Sequence, residues 1–180
     1  MTRLETDRLV QRAPDQGDVD AFAEIFADAE VNRYLSGRSQ TREEVRGSIE
    51  AYVRHWEIHG VGPFTLVRKA DERILGRVGF LVWNPIDWTH GLRGELGEPH
   101  ETELGWALGR EHWGHGYATE AALAARDWAF VERDVPRLIS LINVANHASI
   151  RVAEKLGALP GRIVEGPPFT GPTCVYELER

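Results

Sequence analysis

The sequence predicts a single mixed-sheet α/β (α+β) domain over residues 1–180. Segments that alternate polar and apolar residues are interleaved with segments of helical period, in the order βααβββαβαββ. The length of 180 residues suits one domain with a substantial core, and contents of 42% hydrophobic and 27% charged residues are ordinary for a globular protein. No repeat or low-complexity linker divides the sequence. We therefore expect one mixed sheet with helices rather than a barrel or a helical bundle.

The composition narrows the classes of function. The formal net charge is −7, from 28 acidic and 21 basic side chains. This charge disfavours duplex nucleic acid, where neutralisation of phosphates dominates the affinity, but it tolerates a cationic substrate such as an amine. Apolar runs are far too short to span a bilayer, and the segment MTRLETDRLV has no export signature. The single cysteine, Cys174, excludes a disulfide framework and a cysteine-based zinc cluster. We therefore expect a cytoplasmic protein with no nucleic-acid or membrane partner.

The first third of the chain predicts one strand and two helices. Residues 3–13, RLETDRLVQRA, are the first strand candidate. Residues 18–30 carry apolar side chains at i, i+3, i+4 and i+7, the spacing of an amphipathic helix, with Asp18 as the expected N-cap. Thr41 and Glu44 form the capping-box pattern that begins a second helix. One face of that second helix carries Val45, Ile49, Tyr52, Val53 and Trp56.

The middle of the chain predicts three strands. Segments 63–69 and 73–84 are separated by a polar turn, which is typical of consecutive strands. A Gly- and Pro-rich stretch at 85–100 has no period and indicates a loop. In the third strand, ETELGWALG at 101–109, an apolar trio alternates with two carboxylates, so the carboxylates are expected on the opposite face. The trio is Leu104, Trp106 and Leu108, and the carboxylates are Glu101 and Glu103.

The last third of the chain predicts two helices and three strands. From Tyr117 onward the polar residues recur with a helical period and leave a broad apolar stripe to pack against the sheet. A strand follows at 136–144, and a short helix then runs from Asn146, its N-cap, to Gly157, its stop. The last two strands are expected in GRIVEG at 161–166 and CVYELER at 174–180.

Two glycines, Gly114 and Gly116, precede the helix that begins near Tyr117. Glycine lowers helix propensity by about 1 kcal/mol relative to alanine, so an ordinary helix start does not favour it. A helix start leaves about four backbone N–H groups unpaired, and glycines there permit positive φ and close approach of phosphate oxygens. The stretch therefore predicts an anion site made of main chain.

Two common phosphate-binding motifs do not fit this stretch. Gly109 and Gly114 have P-loop spacing, but His115 and Gly116 stand where that motif requires Lys and Ser or Thr. The dinucleotide-binding fingerprint requires a third glycine where this chain has Thr119. The nearby histidines lack the carboxylate constellation of a zinc site, so we expect no bound metal.

Residues 112–121, HWGHGYATEA, and residues 146–157, NHASIRVAEKLG, together resemble the acetyl-CoA-binding core of the GNAT acyltransferase superfamily. The opening TDRLVQR and the strand ETELGWALG are similar to its ribosomal-protein N-terminal acetyltransferase (RimJ/RimL-like) branch, so the resemblance covers most of the chain. The superfamily loop pattern Gln/Arg-x-x-Gly-x-Gly/Ala falls on residues 113–118, with Trp113 in place of the polar first residue.

The resemblance implies a GNAT fold, with a mostly antiparallel central sheet flanked by helices, and acetyl-CoA as co-substrate. It implies that backbone amides of residues 113–118 hold the CoA pyrophosphate and that Asn146 contacts the pantetheine arm or the cofactor end. A splayed strand supplies an oxyanion-binding N–H in this family. The residues expected to contact the cofactor are Trp106, Ala107, Leu108, Trp113, Gly114, His115, Gly116, Tyr117, Ala118, Thr119, Asn146 and Ser149.

Transfer of an acetyl group to an amine requires a base, because only the neutral amine attacks. Glu103 is the candidate base, and Glu101, two residues away on the same face, is the alternative. Many superfamily members carry a tyrosine that acts as the general acid, seven residues after the motif asparagine, but that position is Ala153 here. Ser149 matches the serine that the RimL-like branch places near the cofactor sulfur, and we expect it to donate to the departing thiolate.

The predicted function is an acetyl-CoA-dependent N-acetyltransferase acting on an amine. The acceptor is either a protein N-terminus or lysine, or a small-molecule amine, and nothing in the sequence names it. The alternative is a catalytically silent CoA-binding sensor or scaffold, which the missing tyrosine supports. A homodimer paired through an exposed sheet edge also stays open.

Overall fold

Eight strands form one continuous sheet in the computed structural model, which describes residues 2–180. They are β1 (Arg3–Glu5), β2 (Leu9–Arg12), β3 (Pro63–Arg68), β4 (Ile74–Trp83), β5 (Glu101–Leu108), β6 (Arg137–Asn143), β7 (Leu159–Val164) and β8 (Thr173–Glu179). Their spatial order is β1-β2-β3-β4-β5-β6-β8-β7, and every neighbouring pair is antiparallel except β5 and β6. The predicted fold class, a mixed and mostly antiparallel sheet, is confirmed.

Six α-helices flank this sheet in the described part of the chain. They are α1 (Val19–Ala27), α2 (Ala29–Asn32), α3 (Arg42–His59), α4 (Arg93–Leu96), α5 (Tyr117–Glu132) and α6 (His147–Lys155). The capping box predicted for α3 is present, because the Glu44 amide donates to Thr41 Oγ1 at 3.3 Å and the Thr41 amide donates to the Glu44 carboxylate at 2.8 Å. Gly60, with a left-handed φ of 62°, ends that helix.

The prediction of one strand over residues 3–13 is wrong, because the segment is a hairpin of β1 and β2. The Thr6 amide donates to the Leu9 carbonyl at 3.0 Å, and the Leu9 amide donates to Thr6 Oγ1 at 3.1 Å. A threonine side chain that bonds to nearby main chain competes with the ladder of a continuous strand. The chain therefore turns at residues 6–8.

Asp18 stands directly before α1, as predicted, but its side chain does not cap the helix. The Asp18 carboxylate is buried and forms an ion pair with Arg12 at 2.5 Å. Asp15 supplies a cap one turn earlier, where its carboxylate accepts from the Gly17 amide at 2.8 Å and begins a short 3-10 turn. The predicted helix over 18–30 also ends early, because Asp28 caps the separate helix α2.

The stretch 85–100 is not a loop throughout. It contains α4 and an isolated bridge between Trp83 and His90, so it folds back onto the end of β4. The last two strands begin one or two residues earlier than the sequence pattern indicates. The helix predicted from Asn146 is present, and Gly157, with a φ of 82°, follows its end.

Two helical layers cover the two faces of the sheet. Helices α5 and α6 pack on one face, in a core that includes Phe80, Leu104, Trp128 and Ala153. Helices α1 and α3 pack on the other face, in a second core that includes Ala107. Since Leu104 and Ala107 are three residues apart in β5, their side chains lie on opposite faces. The carboxyl end of β5 therefore lies between the two helical layers.

The two edges of the sheet are β1 and β7. Strand β7 exposes Leu159 and Ile163, while Pro160 and a register shift interrupt its pairing. Within residues 2–180, no helix has both the length and the apolar character needed to cross a membrane. The same residues bring together no group of three or more His, Cys, Asp or Glu side chains that could hold a metal ion.

Candidate functional site

Strands β5 and β6 touch at one point and then separate. Their only Cα pair in the described chain is Glu103 with Ile139, whereas β4 and β5 share eight pairs. Ser140 Oγ donates to the Leu104 carbonyl at 2.7 Å, so the main chain of Leu104 faces β6. Because alternate residues of a strand present their N–H and C=O groups to the same side, Trp106 and Leu108 also face β6. Their polar groups therefore line a gap between the two strands.

The glycine turn lies at the mouth of this gap. Gly114 and Gly116 have φ values of 78° and 80°, a region that L side chains adopt only with strain. Gly116 occupies the N-cap of α5 without a capping side chain, and the first bond into the helix runs from the Glu120 amide to the Gly116 carbonyl at 3.0 Å. The prediction that the row of free amides begins at Trp113 is wrong, because the Trp113 amide donates to the Arg110 carbonyl at 3.2 Å. The N–H groups of residues 114–119 find no acceptor among residues 2–180. Free amides at a helix start, together with the helix dipole, can bind an anion.

Arg8, from the turn between β1 and β2, supports the glycine turn from outside. Its Nη1 donates to the His115 carbonyl at 3.0 Å, its Nε donates to the Glu120 carboxylate at 2.6 Å, and its guanidinium lies 4.5 Å from the Tyr117 ring centre. Sequence reasoning missed this role. The early hairpin thereby fixes the conformation of a loop more than one hundred residues later.

A groove of about 610 Å³ connects the gap, the glycine turn and the start of α6. That volume is within the usual range for a small-molecule site. Of the residues predicted to contact a cofactor, His115 alone does not line the groove; it is exposed and stacks on Tyr117 at 5.7 Å. The lining includes Trp106, Ala107, Leu108, Trp113, Gly114, Gly116, Tyr117, Ala118, Thr119, Asn146 and Ser149.

The groove also has walls that the sequence reasoning did not find. One is α2 with the residues after it, where the Tyr34 hydroxyl crosses the groove and donates to the Ala145 carbonyl at 3.2 Å. The other is the exposed side of α6, where Arg151 and Lys155 place two positive charges beside the groove. The i, i+4 spacing of these two cations next to Asn146 was a signal that could have identified them.

Ser149 is held at the gap by two hydrogen bonds. Its amide donates to Asn146 Oδ1 at 3.2 Å, which makes Asn146 the N-cap of α6. Its hydroxyl accepts from Trp106 Nε1 at 3.2 Å. Ala153, at the position of the family tyrosine, is fully buried in the core and does not line the groove. Ser149 is therefore the hydroxyl that α6 presents to the groove beside β5.

Glu103 lies on the other face of β5. Its carboxylate accepts from Trp83 Nε1 at 2.6 Å and lies over Gly105, where an added Cβ would come within 3.3 Å of Oε1. Burial raises the pKa of this half-buried carboxyl above its usual value, and the Trp83 bond, the charge of Arg77 and the Leu141 amide partly oppose that rise. A carboxylate with a raised pKa is a better proton acceptor than a free one.

Glu101, the alternative base, has a different environment. Both of its carboxylate oxygens accept from Arg137 Nη1 at 2.5 Å, and Arg137 also pairs with Glu177 at 3.0 Å. Its negative charge is thus shared with a permanent cation that bridges to β8. Of the two predicted carboxylates, the geometry favours Glu103 as the one free to accept a proton.

Comparison with known proteins gives a consistent result. The sequence model of the acetyltransferase (GNAT) domain family matches residues 8–159 of this chain. Similar sequences include YkkB of Bacillus subtilis (strain 168), 33% identical over 180 residues, which cover 98% of this chain and 95% of YkkB. They also include p20 of Bacillus licheniformis, named an uncharacterized N-acetyltransferase, 27% identical over 157 residues, which cover 87% of this chain and 82% of p20.

Among solved structures, a similar one is RimL, a ribosomal L7/L12 alpha-N-protein acetyltransferase in complex with coenzyme A. It aligns with a TM-score of 0.80 over 99% of this chain and 98% of RimL, at 16% sequence identity. At this identity the likeness shows a shared fold.

Proposed function

Because the chain belongs to the GNAT acetyltransferase family and is an acyltransferase, we propose that it is an acetyl-CoA-dependent N-acetyltransferase acting on an amine. The observation that supports this most directly is the row of free backbone N–H groups over residues 114–119, next to a gap between two parallel strands. A diphosphate has the charge and the acceptor oxygens that such a row binds. The gap beside it can accommodate an extended arm that ends in a thioester.

Residues along the groove support coenzyme A as its ligand. The diphosphate of coenzyme A binds the amides of residues 114–119. Arg151 and Lys155 provide positive charge for the third phosphate of the cofactor. The pantetheine arm has amide groups, which pair with the main-chain groups of Trp106 and with the Leu108 amide as an additional strand does, whereas the Leu108 carbonyl already accepts from Trp113 Nε1 at 2.8 Å. Ser149 then lies at the thiol end of the arm.

The two faces of β5 supply the two catalytic groups. Glu103 takes the proton from the attacking amine, directly or through one water molecule, as the nitrogen–carbon bond forms. The backbone N–H of Trp106 or Leu108 in the gap stabilises the oxyanion. When the carbon–sulfur bond breaks, the Ser149 hydroxyl donates to the thiolate. Glu103 and Ser149 lie on opposite faces of β5, Glu103 at the point where β5 pairs with β6 and Ser149 beside the gap that opens beyond that point.

The acceptor class and the setting also belong to the proposal. The chain acts in the cytoplasm, and its acceptor is an amine that reaches Glu103 on the face of the sheet that α1 and α3 cover at Ala107. The printed name of RimL refers to a protein N-terminus, whereas a small amine is the other option for this chain. A homodimer paired through an exposed sheet edge remains a prediction.

Release of free thiol from acetyl-CoA over a panel of amines tests the function, with CoA binding followed separately by calorimetry. We expect thiol release that depends on the amine and a product whose mass increases by one acetyl group. Binding of CoA without turnover on any peptide, lysine or small amine would contradict the enzymatic role and support the sensor or scaffold alternative.

A further inference from the structure

A second cavity adjoins the groove on the Glu103 face of the sheet. It has a volume of about 40 Å³ and lies between β4 and the helices α1 and α3. Leu35 lines both this cavity and the groove, so the two spaces share a wall. Because one water molecule needs roughly 10–15 Å³ on this measure, the cavity has room for a group the size of a carboxylate.

Arg77 lines this cavity with an unused positive charge. Its Nε atom is buried and has no hydrogen-bond partner among residues 2–180. No ion pair in the described chain involves its guanidinium. A buried donor without a partner costs free energy, and so such groups in native proteins call for an explanation. An anionic ligand would supply the missing acceptor.

Neighbouring side chains orient this guanidinium. Tyr52, from α3, places its ring centre 5.7 Å from the Arg77 Cζ atom, a cation–π contact that holds the planar group against the helix. Ser48 and Gln40 add further polar groups to the cavity wall. Arg77 is the cation of this lining, which contains no Asp or Glu. The cavity therefore has the charge and the polarity of an anion site.

The cavity is placed to act together with Glu103. In β4 and β5, Arg77 pairs with Ala107, and Gly79 pairs with Gly105. Arg77, Ala107 and Glu103 share one face of the sheet, and the two glycines between them add no side chain, so the Glu103 carboxylate can extend over Gly105. The Arg77 charge also lowers the pKa of Glu103 against the effect of burial. A base and a cation thus lie on one face of the sheet, separated by two residues that have no side chain.

We infer that the acceptor is a small zwitterion of the amino-acid type, whose carboxylate binds Arg77 while its amine is directed to Glu103. This inference rests on the proposed function and narrows its acceptor class. Arginine binds carboxylates through two parallel N–H donors, which fixes the orientation of the bound molecule. A protein N-terminus or a lysine side chain presents an amine without an adjacent carboxylate and leaves Arg77 unpartnered.

The test compares matched pairs of acceptors that differ only at the anionic end. Free L-α-amino acids are assayed against the corresponding carboxamides in the thiol-release assay. The wild type should favour the free acid of its preferred amino acid by tenfold or more in kcat/KM. In Arg77→Met this preference should fall at least tenfold, mainly through a higher KM for the acid, and Arg77→Lys should restore part of it. Arg73→Met, an exposed arginine paired with Glu111, is the matched control and should keep the wild-type preference.

Two results would overturn the inference while the proposed function stands. One is acetylation of carboxamides or peptide N-termini as fast as free amino acids. The other is an unchanged acid preference in Arg77→Met. Saturation-transfer NMR of the same compounds on the CoA-loaded protein gives a readout independent of turnover. If no amine is acetylated, the proposed function fails. Loss of free-acid binding in Arg77→Met then still supports the anion site, whereas equal binding of free acids and carboxamides by the wild type rejects it.

Discussion

Trp83 Nε1 donates a hydrogen bond to the Glu103 carboxylate at 2.6 Å. The bond joins the end of β4 to the middle of β5 and fixes the carboxylate over Gly105. Burial raises the pKa of Glu103, while the indole donor stabilises the ionised form and opposes that rise. The environment of this carboxyl therefore sets its affinity for a proton.

Glu103→Gln should lower kcat by roughly 10²- to 10⁴-fold, the usual contribution of a general base. The amide oxygen of glutamine can still accept from Trp83, so CoA affinity and the fold should be retained. Thiol release and calorimetry measure the two properties. Glu101→Gln is the matched control: it should mainly lower the Tm, because it weakens the ion pair with Arg137. Greater loss of kcat in Glu101→Gln than in Glu103→Gln would identify the other carboxylate as the base.

The activity should depend on pH through Glu103. A base must be ionised, so kcat/KM should rise as the pH increases through its raised pKa. Trp83→Phe removes a donor that lowers this pKa, and the rising part of the profile should therefore move to higher pH. Profiles of kcat/KM for the two proteins measure the shift. A Trp83→Phe profile that stays in place, or moves to lower pH, would show that the Trp83 hydrogen bond does not lower the pKa of the base.

Gly116→Ala should weaken CoA binding. Its φ of 80° is strained for alanine by about 1–2 kcal/mol, which corresponds to roughly five- to thirtyfold in the dissociation constant if binding requires this conformation. Calorimetry with CoA measures it. Gly94→Ala, where an added Cβ meets no atom within 4 Å and φ is not positive, is the control and should bind CoA as the wild type does. Equal affinities for the two variants would show that the glycine turn has no part in binding.

Ser149→Ala should reduce kcat by about 2- to 12-fold, the equivalent of one net neutral hydrogen bond of 0.5–1.5 kcal/mol. The KM for acetyl-CoA should change little, because the diphosphate contacts are remote from this hydroxyl. Steady-state kinetics separate the two constants. Trp106→Phe leaves the hydroxyl in place but removes its donor at 3.2 Å, and it should have a smaller effect. An unchanged kcat in Ser149→Ala would show that the hydroxyl has no part in thiolate release and serves only as the acceptor for Trp106.

Local patterns predicted the parts of this fold in which the determinants are local. The Thr41 and Glu44 capping box and the alternation that separates Glu103 from Leu104 are both present in the structure. The hairpin of β1 and β2 was missed, because the strand pattern gave no weight to the Thr6 hydroxyl that bonds to Leu9. The Asp18 side chain does not cap the helix because it pairs with Arg12 and accepts from the Thr65 hydroxyl at 2.6 Å, and only the fold brings Thr65 near.

In the candidate site too, the sequence predicted the features that depend on local residues and missed those that depend on contacts across the fold. The glycine turn and Asn146 were identified from short motifs, since a helix start exposes its amides whatever surrounds it. Arg8, Tyr34 and Arg77 were not identified, because their importance comes from contacts across the fold. Arg8 reaches the His115 carbonyl from the first hairpin, and Arg77 becomes unusual only when its cavity is visible. The spacing of residues along the chain does not predict such contacts.

The most direct measurement is a crystal structure of the protein with coenzyme A. We expect diphosphate oxygens within about 2.7–3.2 Å of backbone nitrogens of residues 114–119, and the thiol end in the gap between β5 and β6 near Ser149. Diphosphate bound away from these amides, or an arm that bypasses the gap, would contradict this expectation.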